Sequence, residues 1–161
     1  SVGSAPGNPG EARAEHHILS AIFARQVLTE EGWAEERIQA VEHCIRAHRF
    51  RNKGEKPQTI EAQVLFGADK LDVLGAIGAA RTIAYAALDG QPSYAEPSQQ
   101  FLETGVKQPG EPHSSYHEYL FKLRRVKELL FTHTGKQIAE QRDAFLRAFY
   151  EQLQAECHGE R

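Results

Sequence analysis

Residues 59–81, Thr-Ile-Glu-Ala-Gln-Val-Leu-Phe-Gly-Ala-Asp-Lys-Leu-Asp-Val-Leu-Gly-Ala-Ile-Gly-Ala-Ala-Arg, carry apolar or small side chains on every side when wound at about 100° per residue. A helix that apolar is a buried one, and the rest of the chain has to wrap around it. Ala62, Leu65, Val73, Ala76 and Ala80 share a side with Asp69, Ile60, Val64, Leu71 and Gly78 lie opposite, and Gln63, Lys70 and Arg81 form a third stripe. Gly75 and Gly78 add little bulk, which lets neighbouring helices come close. A carboxylate in such a helix needs a cation, a donor cluster or a metal beside it, because a buried charge without one is costly. Asp69 is therefore the first candidate for function. The plainer reading is a salt bridge to an arginine inside a helical core.

Two histidines upstream bear on that choice. In residues 35–48, Ile38, Val41 and Ile45 recur at helical spacing, and His48 continues their stripe with Cys44 alongside. In the helix beginning near Ala14, His16 shares a face with Leu19, Ser20, Phe23 and Val27, so both imidazoles are expected to point inward. Singly, each reads as a hydrogen-bonded core histidine. Together with Asp69 they offer imidazole, imidazole and carboxylate from three successive helices, a donor set that suits a divalent transition metal. His43 and His17 follow the apolar stripes of their helices less cleanly.

Along the chain the spacing predicts about five helices and no strand, hence an all-α domain over residues 1–161. Residues 1–11 are expected to be a flexible lead, 14–31 the first helix, stopped by Gly32, and 35–48 the second. A basic loop with Arg51, Lys53 and Lys56 leads into one long central helix ending near Leu88. Residues 89–115, rich in Gly, Pro, Ser and Gln, are too long for a plain connector and are expected to form a flap. Two amphipathic helices close the chain, one with Leu120, Leu123, Val126 and Leu130, the other with Ile138, Phe145, Phe149 and Leu153.

Three segments in this order resemble the HD-domain metal-dependent phosphohydrolases: His16-x-x-x-Ser20-Ala21; Ile45-Arg-Ala-His48-Arg-Phe50; and Ala68-Asp69-Lys70-Leu71-Asp72-x-Leu-Gly75-Ala-Ile-Gly78-Ala-Ala-Arg81. The last is the most specific. Phe121-Lys122-Leu123, Thr132-His-Thr-Gly135-Lys136 and Ile138-Ala-Glu-Gln-Arg142 are similar to C-terminal helices of a bacterial and fungal branch, so the likeness runs from about His16 to Glu156. The resemblance implies an HD-like helical bundle around a buried central helix. It also implies hydrolysis of phosphate esters or anhydrides, of nucleotides above all, by a metal-activated water.

By that resemblance Asp69 is a metal ligand and, with Lys70 and Asp72, a catalytic residue. His16 and His48 match positions that hold a second metal in binuclear members. Arg51, Lys53, Lys56, Arg81 and Lys122 are candidate phosphate contacts by charge and position, with solvated surface charge as the plain alternative for all but Arg81. Manganese, magnesium, iron, nickel and zinc all suit such ligands. The departure is the His-Asp doublet that names the family, which this sequence does not contain. The doublet is expected in helices upstream of Ser1, whose absence would leave the central helix partly uncovered at about 25 cal/mol per Å² of apolar surface. A binding or regulatory domain that has lost the metal site is the alternative.

Other classes are set aside on composition and spacing. No window reaches the roughly 20 apolar residues of a membrane span, and no signal peptide opens the chain, so the cytoplasm is the expected compartment. Cys44 and Cys157 are too few for a disulfide framework, and Cys44 is expected to be a reduced core thiol. The net charge of −3 gives no general pull toward duplex nucleic acid or membranes, which favours free nucleotides as partners. Thr134-Gly-Lys136 lacks the first glycine and the hydroxyl residue of a P-loop, and there is neither a Cys-x-x-Cys pair nor a Gly-x-Ser-x-Gly elbow. A homodimer through the C-terminal helices is a further expectation.

Overall fold

The computed structural model describes residues 9–49 and 54–160, with side chains from residue 16 onward. Among the described residues there are α-helices and one 3₁₀ helix and no strand, in agreement with the all-α expectation. None of these helices is by itself long and apolar enough to cross a membrane. The chain divides into two compact units, Ser1–Phe66 and Gly67–Arg161.

The first unit is built on α1 (Pro9–Glu30) and α2 (Glu35–Ala47), which pack against each other. Helix α1 starts five residues before Ala14, at Pro9, whose fixed φ suits a first helical turn. It ends where Gly32 takes φ +74° and donates back to Thr29 O, so the glycine stop is as expected. The inward face of α1 is not the expected Leu19 and Phe23 side. Ala21 is buried, at 2% exposure, whereas Leu19 and Phe23 are 59% and 67% exposed, with Val27 and His16 on the same open side. A helix with apolar residues on two sides can be shut in along only one of them here, and it is the side of Ala21.

Helix α2 carries Glu35 and Glu36 in its first turn and Arg46 in its last, each sign where the helix dipole favours it. Its buried face holds Ile38, Glu42 and Ala47. The Glu42 carboxylate accepts from Arg25 Nη2 at 2.5 Å, and that bond holds its pKa below the usual carboxylate range. Arg25 also clasps Glu35, and Arg46 binds Glu55, which ties the charged side of the hairpin together. Cys44 is half-buried and free, its pKa raised chiefly by burial, and Cys157 is exposed and free.

The expected single central helix is two, α3 (Ile60–Leu71) and α4 (Gly75–Leu88), bent by 62° across residues 72–74. Leu74 is extended and Gly75 takes φ +69°, a left-handed conformation that only glycine adopts cheaply. On the far side of the break, a Cβ on Gly78 would stand 2.3 Å from Val73 O. The two glycines thus make the break. Burial is also one-sided, since Ala62, Phe66 and Gly67 are enclosed while Ile60, Val64 and Leu65 are exposed.

The second unit continues with α5 (Gln99–Thr104), α6 (Ser115–Phe121), a 3₁₀ helix (Leu123–Leu129) and α7 (His133–Cys157). Its core joins Leu74 and Ala79 to Tyr116, Tyr119, Leu123, Val126 and Leu130 and to Ala139, Leu146 and Tyr150 of α7. The first of the two expected closing helices is split at Lys122 into α6 and the 3₁₀ helix, although Leu123, Val126 and Leu130 are buried as anticipated. In α7 the enclosed line is Ala139, Asp143, Leu146 and Tyr150, and Phe145 is half-exposed. Thr132 Oγ1 caps α7 by accepting from Gly135 N.

Candidate functional site

The break between α3 and α4 gathers four of the anticipated acids and bases. Asp69 lies in the last turn of α3, with its side chain 52% exposed and Oδ2 2.6 Å from Lys70 Nζ, so the expected buried carboxylate is an exposed one. Asp72 follows at the break and pairs with Arg81 Nη1 of α4, whose guanidinium also stands 5.9 Å from the Tyr85 ring centroid. Lys122 is bound to Glu118 Oε1 at 2.5 Å. Burial acts to raise the Glu118 pKa, but Lys122 and His113 outweigh it and the net shift is downward.

His16 and His48 belong to the first unit, where their rings meet edge to face with centroids 5.6 Å apart. His48 stands at the C-cap of α2, and its Nδ1 donates to Ile45 O at 2.5 Å, which leaves the lone pair on Nε2. His16 Nδ1 accepts from Arg49 Nη1 at 3.1 Å. A guanidinium beside that imidazole opposes a second cation there. His43 is ordered by Glu55 and by the Gln58 amide.

The structure thus brings His16 and His48 together, and it sets Asp69, Lys70, Asp72 and Arg81 around one break. Lys56 is exposed in the first unit, and Arg51 and Lys53 lie outside the described residues. Among the described residues, no group of three or more His, Cys, Asp or Glu side chains is placed to hold a metal ion. Two imidazoles, one flanked by arginine, leave a divalent ion short of ligands, so the described residues do not by themselves complete a metal centre.

Residues 89–115, the segment expected to form a flap, are held by hydrogen bonds of their own. Glu111 accepts from Ser98 N, Ser98 Oγ, Gln108 N and His117 Nε2 at 2.8, 2.7, 2.6 and 3.0 Å. Burial alone would raise its pKa, yet these donors bring it down to about 2. His117 Nδ1 faces Ser114 Oγ at 2.7 Å, an order of groups that on paper looks like a nucleophilic triad. Ser114 and His117 are both 0% exposed and Ser114 caps α6, so the arrangement is a structural clip. Nothing in the spacing of Glu111, Ser114 and His117 announced it beyond an acid in a Gly/Pro-rich loop.

The sequence model of the family described as HD domain matches residues 4–74, a span that includes His16, His48, Asp69 and Asp72. The uncharacterized protein YpgQ of Bacillus subtilis is 30% identical over 131 residues, covering 80% of this chain and 57% of YpgQ. The crystal structure of YpgQ in complex with ADP superposes with a TM-score of 0.62 at 26% identity, over 84% of this chain and 63% of that one. A Bacillus thuringiensis HD-superfamily hydrolase does so with a TM-score of 0.58 at 29% identity, over 83% and 60%. The chain therefore spans about three fifths of the length of these relatives.

Proposed function

This chain belongs to the HD-domain superfamily, and on that footing we propose that it hydrolyses phosphate esters or anhydrides of nucleotides. The observation that carries the reading is the Asp69–Asp72 segment. It lies inside the span matched to the HD domain and presents an open carboxylate at a helix end fixed by a glycine break. Lys70 and Arg81 add two cations beside the two acids, the charge that phosphate oxygens require. The nucleotide class is supported by the ADP bound in the crystal structure of YpgQ.

The residues assigned are few. Asp69 is the catalytic carboxylate, Lys70 and Arg81 meet phosphate oxygens, and Asp72 orients Arg81. His48, with its Nε2 lone pair held free by the Ile45 carbonyl, is the imidazole suited to a proton or a cation. Metal dependence belongs to the test, because the described residues supply too few donors to make a centre alone.

The experiment incubates the purified protein with nucleoside diphosphates and triphosphates. One arm contains manganese or magnesium and the other a chelator, and released phosphate is the readout. The proposal expects release that needs the metal. Absence of release with every metal and nucleotide overturns it and leaves a helical binding domain as the function.

A further inference from the structure

One charged side chain of α7 reaches the break that carries the proposed site. Arg142 Nη1 donates to Leu71 O at 2.7 Å, and the same carbonyl accepts from Leu74 N at 3.2 Å. Leu71 is the last residue of α3, where carbonyls run out of helical partners and a cation is favoured by the helix dipole. Arg142 is half-buried, and among the described residues it makes no ion pair with a carboxylate.

Its aliphatic stem is engaged as closely as its head. A Cβ on Gly75 would stand 3.2 Å from Arg142 Cγ and 3.3 Å from Cβ, so the stem lies directly on the left-handed turn. On the other side, Val73 O rests against Gly78. The turn 72–74 is thus clamped between a hydrogen-bonded guanidinium with its stem and a glycine that leaves no slack. Asp69 lies two residues before the clamped carbonyl and Asp72 one residue after it.

We propose that Arg142 is a positioning residue that holds Asp69 and Asp72 in working register by tying the end of α3 to α7. Its catalytic consequence rests on the phosphohydrolase reading, whereas the clamp itself does not. Arg142→Met keeps most of the stem without a donor, and Arg142→Lys keeps one donor and the charge.

The test follows amide hydrogen exchange and nucleotide hydrolysis in the full chain. In Arg142→Met, exchange over residues 70–78 should rise about tenfold while α7 and the 3₁₀ helix keep their protection. In the same variant kcat should fall about tenfold with KM within about twofold, the pattern of a displaced catalytic group. Arg142→Lys should restore most of both. Wild-type exchange at 70–78 in Arg142→Met, loss of protection spread over the whole second unit, or failure of Arg142→Lys to restore either readout overturns the proposal. If the wild-type protein turns over no nucleotide, the phosphohydrolase reading fails, and the exchange measurement still decides whether Arg142 clamps the break.

Discussion

Val73 O rests against Gly78 so closely that any Cβ at residue 78 would lie 2.3 Å from it. The neighbour is backbone, so it cannot rotate out of the way as a side chain would. Gly78→Ala is therefore expected to destabilise the second unit by about 1–3 kcal/mol, the range of overpacked sites. Denaturant unfolding would show it as a lower midpoint with an unchanged slope. A wild-type midpoint would mean that the break relaxes freely.

Glu111 supplies a pH dependence whose sign is fixed by its depressed pKa. Its ordinary value is 4.5, and in the fold it is about 2. The unfolded state then binds the proton more readily, so the contribution is complete above about pH 4.5 and is lost as pH falls toward about 2. Thermal unfolding of the wild type should drop across that window. Glu111→Gln should lower Tm at pH 7 and flatten that part of the profile, and an identical profile in the variant would remove Glu111 from the account.

Much of this was legible in the sequence, for physical reasons that differ by residue. Gly32 announced a helix stop because its requirement is local. Asp69 misled because an all-round apolar pattern implies burial only when enough chain packs on every side, and here Ile60, Val64 and Leu65 are open as well. Gly75 and Gly78 read as small residues for helix packing, whereas a positive φ and a close carbonyl are their tasks, and neither shows in a helical wheel. His16 meets His48 although it lies on the open side of α1 and not on the inward face expected of it. Arg142 and Glu111 act over long sequence separations on backbone groups, which periodicity does not record.

Glu42 tests the first unit independently of any function. It is the buried acid of α2, and Arg25 bridges it to Glu35 across the hairpin. Glu42→Ala leaves the guanidinium with one exposed partner and opens a gap beside Ile38, so a loss of about 1–3 kcal/mol is expected. Glu35→Ala, at an exposed and solvent-screened position, should shift the unfolding midpoint much less. Equal losses from the two substitutions would show that burial does not set the strength of this network.

Asp69 and Asp72 are three residues apart, and their partners make their roles separable. Among the described residues Asp69 is bound to its neighbour Lys70 at an exposed position, a pair worth about 0–1 kcal/mol, so Asp69→Asn should leave the unfolding midpoint almost unchanged. Asp72 bridges the break to Arg81, and Asp72→Asn should loosen that contact at a similarly small cost. Activity should divide them sharply. If Asp69 is the catalytic carboxylate, Asp69→Asn lowers kcat by about a hundredfold or more, the scale of removing a group that acts in the transition state. Asp72→Asn, which frees Arg81 without removing it, should instead raise KM by about tenfold or less through poorer phosphate binding. Measuring phosphate release and thermal unfolding on the same preparations separates the two effects. A hundredfold loss in Asp72→Asn with near-normal turnover in Asp69→Asn would reverse the assignment and move the reacting carboxylate to the break itself.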